Sequence, residues 1–91
     1  LCMIAEQRDG QGKIYNHYDV HNLYGWSETL ATFSAMRALE NKRSLIISRS
    51  TYPTSGKYSG HWLGDNTAAW AHLKYNIIGM LEFNLFGIPY V

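Results

Sequence analysis

Hydrophobic and polar positions divide the chain into two helical stretches separated by short apolar runs. Leu30, Phe33 and Met36, with Ala35 and Leu39 offset, recur at helical spacing. They predict a helix that starts at Ser27, or at Asn22 if it begins earlier, and ends near Asn41. A second, longer pattern places Trp70, Leu73, Ile77, Met80, Leu81 and Leu85 three and four residues apart. It predicts a helix from Ala68 toward Phe86, capped by Asp65, Asn66 or Thr67, with Gly87 as a natural stop. Between the helices, Ser44–Ser48 is short, apolar and β-branched, which fits a strand buried on both faces. Ser50–Gly60 carries Pro53, Gly56 and Gly60 and reads as a loop. His61–Leu63 reads as a very short strand and Ile88–Val91 as another. Leu1–Ala5 is apolar and either ends a strand or lies on a core; Glu6–Asn16, with Asp9-Gly10 and Gly12, reads as a turn or surface loop.

The order helix, strand, loop, short strand, helix, strand argues for a parallel α/β arrangement. Pattern alone does not choose between an open sheet and a closed barrel. A whole barrel takes roughly 250 residues, so a chain of 91 would be part of one. The first residue is Leu and no signal peptide precedes it, while Ile88-Pro89-Tyr90-Val91 reads as a strand that stops at the chain end. Both ends therefore read as cut.

Composition narrows the function classes. Net charge is +1 and the eight basic residues are scattered, Lys42-Arg43 being the one adjacent pair, so there is no basic stripe for nucleic acid. The longest apolar stretch is interrupted by Glu82 and Asn84 and falls short of a membrane span. Cys2 is the sole cysteine, which rules out an internal disulfide. Aromatics reach 14%, seven of them Tyr, a composition that suits sugar handling but also serves cores and interfaces.

Candidate chemistry concentrates between Arg49 and Asn66. Asp65 sits between Gly64 and Asn66, three residues after Trp62, and Arg49 ends the preceding strand-like run. Sugar chemistry uses such a set: an acid for the leaving oxygen, an aromatic wall for the ring face and a fixed cation or donor for hydroxyls. Each residue also has a plainer use. Asp65 could cap the following helix, Arg49 could form a buried ion pair, and Trp62 could pack in a core. His61, Asp65 and His72 do not follow a known metal-ligand spacing, and no cysteine helps. Ser50 and Ser55 lack the Gly-x-Ser-x-Gly elbow of a hydrolase nucleophile. Neither a metal nor another cofactor is expected, and Glu82 carries no catalytic assignment.

Three blocks carry a family resemblance. Arg49–Asn66 resembles the acid/base segment of glycoside hydrolase family 31, the group of the α-glucosidase, maltase and sucrase enzymes. Tyr18-Asp19-Val20-His21-Asn22-Leu23-Tyr24-Gly25 resembles the stretch just downstream of that family's nucleophile strand. Ile77–Pro89 resembles its next helix and strand. The order and spacing match across nearly all 91 residues. Departures are few: Tyr58 stands where Trp is common, Ala71 where an acidic residue is usual, and Leu30-Ala31 lacks a proline found in many members.

The resemblance implies a fold and a role. Residues 1–91 would be a piece of a (β/α)8 TIM barrel, from about the end of strand 4 through strand 7. Asp65 would be the general acid/base, and Arg49 and Trp62 would bind the sugar being cleaved. As a general acid Asp65 must hold its proton near neutral pH, which burial or a neighbouring carboxylate brings about. The nucleophile would lie upstream, since neither Asp9 nor Asp19 matches its motif. The implied activity is that of a retaining, exo-acting α-glucosidase on maltose-type oligosaccharides, with the rest of the barrel required and the isolated chain inactive. The alternative is a non-catalytic sugar-binding or structural relative of the same fold. Lysosome, cell surface or secretion would follow by resemblance.

Overall fold

The computed structural model describes residues 1–91, the side chain at position 40 excepted. The chain opens with a hairpin where the pattern predicts only a loop. β1 (Glu6–Arg8) and β2 (Ile14–Asn16) pair antiparallel, with Gln7 opposite Tyr15. Asp9 makes the turn. Its Oδ1 accepts the Gln11 and Lys13 backbone N–H groups at 2.9 Å each, and its Oδ2 accepts the Tyr15 hydroxyl at 3.1 Å. Those bonds, that from Lys13 first, hold the Asp9 carboxyl below its ordinary value. Gly12 takes the positive φ of 84° the turn requires. The strands are three residues long and mostly polar, which leaves no apolar alternation to read.

A short helix α1 (His17–Val20) runs through a 3-10 turn at His21–Leu23 into α2 (Tyr24–Glu40). Ser27 is not the cap. It lies inside α2, where its Oγ donates to the Tyr24 carbonyl at 2.8 Å, and Leu23 occupies the cap position without a side-chain bond. Asn41, in left-handed conformation at φ 45°, ends α2 as its position predicts.

The parallel corner of the molecule is built from β3 (Ile47–Ser48) and β4 (Gly60–His61), each shorter than its apolar run predicts. Parallel strands need a long connection, and residues 49–59 supply it with a 3-10 turn at Ser55–Lys57 in place of a helix. Gly60 N and Trp62 N donate to the carbonyls of Ile46 and Ser48, while His61 N donates the other way, to Tyr90 at 2.9 Å. The segment 88–91 thus lies against β4 through that bond, although it forms no full strand. The second helix, α3 (Trp70–Leu85), crosses between them. Its cap position is Ala69, so none of Asp65, Asn66 and Thr67 caps it. At its other end Ile88 N donates to Phe83 O and Gly87 N to Asn84 O, with Gly87 at φ 76°, the paired bonds of a Schellman stop.

Burial is concentrated where 88–91 meets the loop after β3. Ile88 is 1% exposed. A Cβ on Gly56 would strike the Gly87 carbonyl and come within 2.7 Å of Ile88 Cα, and one on Gly60 would strike the Tyr90 ring. Only glycine permits these approaches. The apolar stripe of α3 is not buried: Trp70, Leu73, Ile77, Met80, Leu81 and Leu85 are all exposed, Trp70 by 85%. The accessible surface is 7333 Å², against about 5,400 Å² for a compact monomer of this mass. The radius of gyration is 15.5 Å, against about 12 Å. The sheets are two separate pairs, and no closed barrel forms within the described residues.

Candidate active site

The two residues proposed for sugar contact come from adjacent strand ends. Ile47 lies beside Gly60 and Ser48 beside His61. The Trp62 N to Ser48 O bond at 3.1 Å repeats the Gly60 N to Ile46 O bond one step further along, which sets Trp62 beside Arg49. Side chains alternate between faces of a sheet, so Trp62 takes the face opposite His61. His61 lies on the α3 side, stacked on Phe83 with ring centroids 3.7 Å apart and planes at 18°. Trp62 therefore lies on the face that α3 does not cover.

Trp62 is 42% exposed, close to the exposure of the apolar residues of α3. Arg49 is exposed, and the ion pair found among the described residues is Arg8–Glu6 at 3.6 Å. Asp65 is exposed too, on the loop that leaves β4, just after Gly64 at φ 112°. It lies five residues ahead of the first residue of α3 and caps nothing.

Arg49 also borders a cleft of about 400 Å³ with His21, Asn22, Thr51, His61 and Phe83. Asp65 and Trp62 do not line it. Here sequence reasoning missed a chain of polar groups. Gln7 Nε2 donates to His17 Nδ1 at 3.4 Å, and His17 Nε2 donates to His21 Nδ1 at 2.8 Å. His17 is 1% exposed, and burial pushes its pKa below 6.5, with the neighbouring His21 ring acting in the same direction. Two histidines four residues apart at a helix start were the available signal. His61 is held in place on both sides: Thr51 Oγ1 lies 2.9 Å from its Nδ1 and Phe83 stacks on its ring, and burial lowers its pKa as well. Among the described residues no three of His, Cys, Asp and Glu are gathered to hold a metal, and no helix is long and apolar enough to cross a membrane.

Comparison with known proteins places this geometry in a family. The family model for the "Glycosyl hydrolases family 31 TIM-barrel domain" matches residues 2–91. The chain belongs to glycosyl hydrolase family 31, within that domain. It is 56% identical over 90 residues to human intestinal sucrase-isomaltase, covering 99% of this chain and 5% of that protein. It is 53% identical over 90 residues to human probable maltase-glucoamylase 2, covering 99% of this chain and 4% of the relative. Mouse lysosomal alpha-glucosidase is 45% identical over 75 residues, which is 82% of this chain and 8% of that protein. The chain thus spans about a twentieth of the length of the first two relatives.

Proposed function

We propose that this chain is a sector of a family 31 catalytic barrel, spanning strands 5 to 7 with the end of strand 4, and that it supplies the acid/base half of a retaining α-glucosidase site. β3, β4 and the 88–91 segment would be the three successive barrel strands. The observation that carries the reading is the parallel pair β3–β4, whose adjacent C-terminal ends lead into Arg49 and Trp62, with the Asp65 loop leaving the β4 end. Active sites of such barrels lie at the C-terminal ends of the strands.

In the first step the Asp65 carboxyl gives its proton to the glycosidic oxygen as the bond to the anomeric carbon breaks. A carboxylate from elsewhere in the barrel forms a new bond to that carbon. In the second step Asp65 takes a proton from water, whose oxygen displaces the carboxylate. In retaining enzymes the two carboxyl groups lie roughly 5 Å apart, and that neighbouring negative charge would keep Asp65 protonated until the proton is needed. Arg49 would bind sugar hydroxyls through its planar fork, and Trp62 would wall the ring face. Named relatives include a sucrase-isomaltase, a maltase-glucoamylase and an alpha-glucosidase, which favours a maltose-type oligosaccharide and a cell-surface, secreted or lysosomal setting. The exposed stripe of α3 and the excess surface support a need for the remaining barrel, so the isolated chain would turn over no substrate.

The test is Asp65→Asn in the full-length protein. Activity on aryl α-glucosides with poor leaving groups falls by about 10³-fold, while α-glucosyl fluoride, which needs little protonation, loses far less in the glycosylation step. Equal loss on both substrates would remove Asp65 from the acid role.

A further inference from the structure

The loop that carries Asp65 is fastened to α3 by two side chains. The Thr67 backbone N–H donates to His72 Nδ1 at 3.0 Å, and Asn66 Nδ2 donates to Asn76 Oδ1 at 2.7 Å. The acceptors stand four residues apart, so they form one ridge on one face of α3. The donors belong to the two residues that directly follow Asp65. A backbone N–H can only donate, so His72 must present an unprotonated Nδ1 and carry its ring proton on Nε2. On the other side of Asp65 the attachment to α3 is apolar, with the Leu63 side chain packed over Gly79. Gly64 sits at φ 112°, and a Cβ there would meet nothing within 4 Å.

We propose that His72 and Asn76 are positioning residues for Asp65, setting where its carboxyl stands relative to the adjacent strand ends that lead to Arg49 and Trp62; this rests on the reading of Asp65 as the proton donor. Asp65 itself touches neither residue's side chain through a recorded bond, and the two fastenings act through Asn66 and Thr67. The chemistry explains why fastening matters. Proton delivery to a glycosidic oxygen requires hydrogen-bond reach and alignment, and a displacement near 1 Å costs on the order of a hundredfold. Fastening to α3 gives the loop a helix as its reference frame, which is more rigid than another loop.

The experiment uses the full-length protein and aryl α-glucosides running from strongly acidic nitrophenols to weakly acidic phenols, with melting temperature recorded for every variant. His72→Phe removes one acceptor, Asn76→Ala removes the other, and His72→Asn keeps an acceptor oxygen at similar reach. His72→Phe and Asn76→Ala each lower kcat/KM about tenfold on the poorest leaving group and by no more than about twofold on the best. His72→Asn restores most of the loss. A loss of equal size along the whole series, or none, overturns the proposal, because a merely structural role does not depend on the leaving group. If His72→Phe does not accumulate, Asn76→Ala decides, since its bond is exposed and its loss opens no core. Asp65→Asn in the same series separates the two readings. Should it show no leaving-group dependence, the acid assignment and the positioning fall together. Should it show a steep dependence while His72→Phe and Asn76→Ala are flat, only the positioning falls.

Discussion

The two strand-end loops are held in different ways. The loop after β3, residues 49–59, is knitted into the molecule. Ser55 is buried and its Oγ accepts the Tyr52 N–H at 2.9 Å, its carbonyl accepts from Tyr58 and Ser59, and Thr54 N reaches Phe86 O at 2.9 Å. Gly56 lies against Gly87 and Ile88 with no room for a methyl group. The loop after β4, residues 62–69, is exposed over most of its length, and two hydrogen bonds to α3 with the packing of Leu63 on Gly79 hold it. Few buried contacts and exposed hydrogen bonds mark a segment of low local stability. Arg49, proposed to bind sugar hydroxyls, stands at the start of the knitted loop. Asp65, proposed to give and take the proton, stands on the loop that is fastened to α3.

Mutations at the two loop glycines test that contrast most severely. Gly56→Val in the full-length protein places a branched side chain against backbone that cannot yield, and costs about 3 kcal/mol or more, seen as a large fall in melting temperature. Gly64→Ala meets open space and suffers only from its positive φ, about 1 kcal/mol. Equal shifts in melting temperature would mean that the loops are held alike.

Arg49→Lys and Trp62→Ala bear on function rather than stability. Arg49→Lys keeps charge and loses the fork, and kcat/KM falls about 10²-fold. Trp62→Ala removes the ring wall and weakens substrate and inhibitor binding together. Both variants retain a near-normal melting temperature, because both residues are proposed to face the substrate pocket at the strand ends. A fall in melting temperature with normal kinetics in the folded fraction would return them to structural use.

The smallest expected effect is a pH dependence in the rigid loop. Burial pushes the His61 pKa below 6.5, so the folded state holds its proton less readily than the unfolded chain. The stability this neutral ring contributes is complete above 6.5 and is lost as pH falls from there through the folded value. The Thr51 hydroxyl can reverse its bond to a charged ring, so the loss comes mainly from burying charge beside Phe83. His61→Gln should flatten the acid limb of melting temperature against pH. An unchanged limb assigns the dependence to other groups, with His17 the next to test, since burial displaces it in the same direction.

Local chemistry was legible where each signal lies within a few residues. The spacing of Leu30, Phe33 and Met36 marked α2, Asn41 and Gly87 marked helix ends that adopt left-handed conformation, and the Leu45–Ile47 run marked β3. The Arg49–Asn66 block carried the family's pattern, and the family match bears that resemblance out over residues 2–91. Features that depend on distant partners were not legible. The hairpin hides in polar residues whose pairing is decided by the Asp9 turn, and the His17–His21 bond needs the helix start to bring the rings together. The cap position of α3 falls at Ala69 without a side-chain bond, and Asn66 and Thr67 bond instead to Asn76 and His72 further along the helix.

What the sequence determined by itself is therefore periodic and local: two helices, their stops, a short strand and the family they belong to. Tertiary structure alone decided that the strand ends leading to Arg49 and Trp62 lie side by side, because strand register is set by hydrogen bonds such as that between Trp62 and Ser48, residues far apart in the chain.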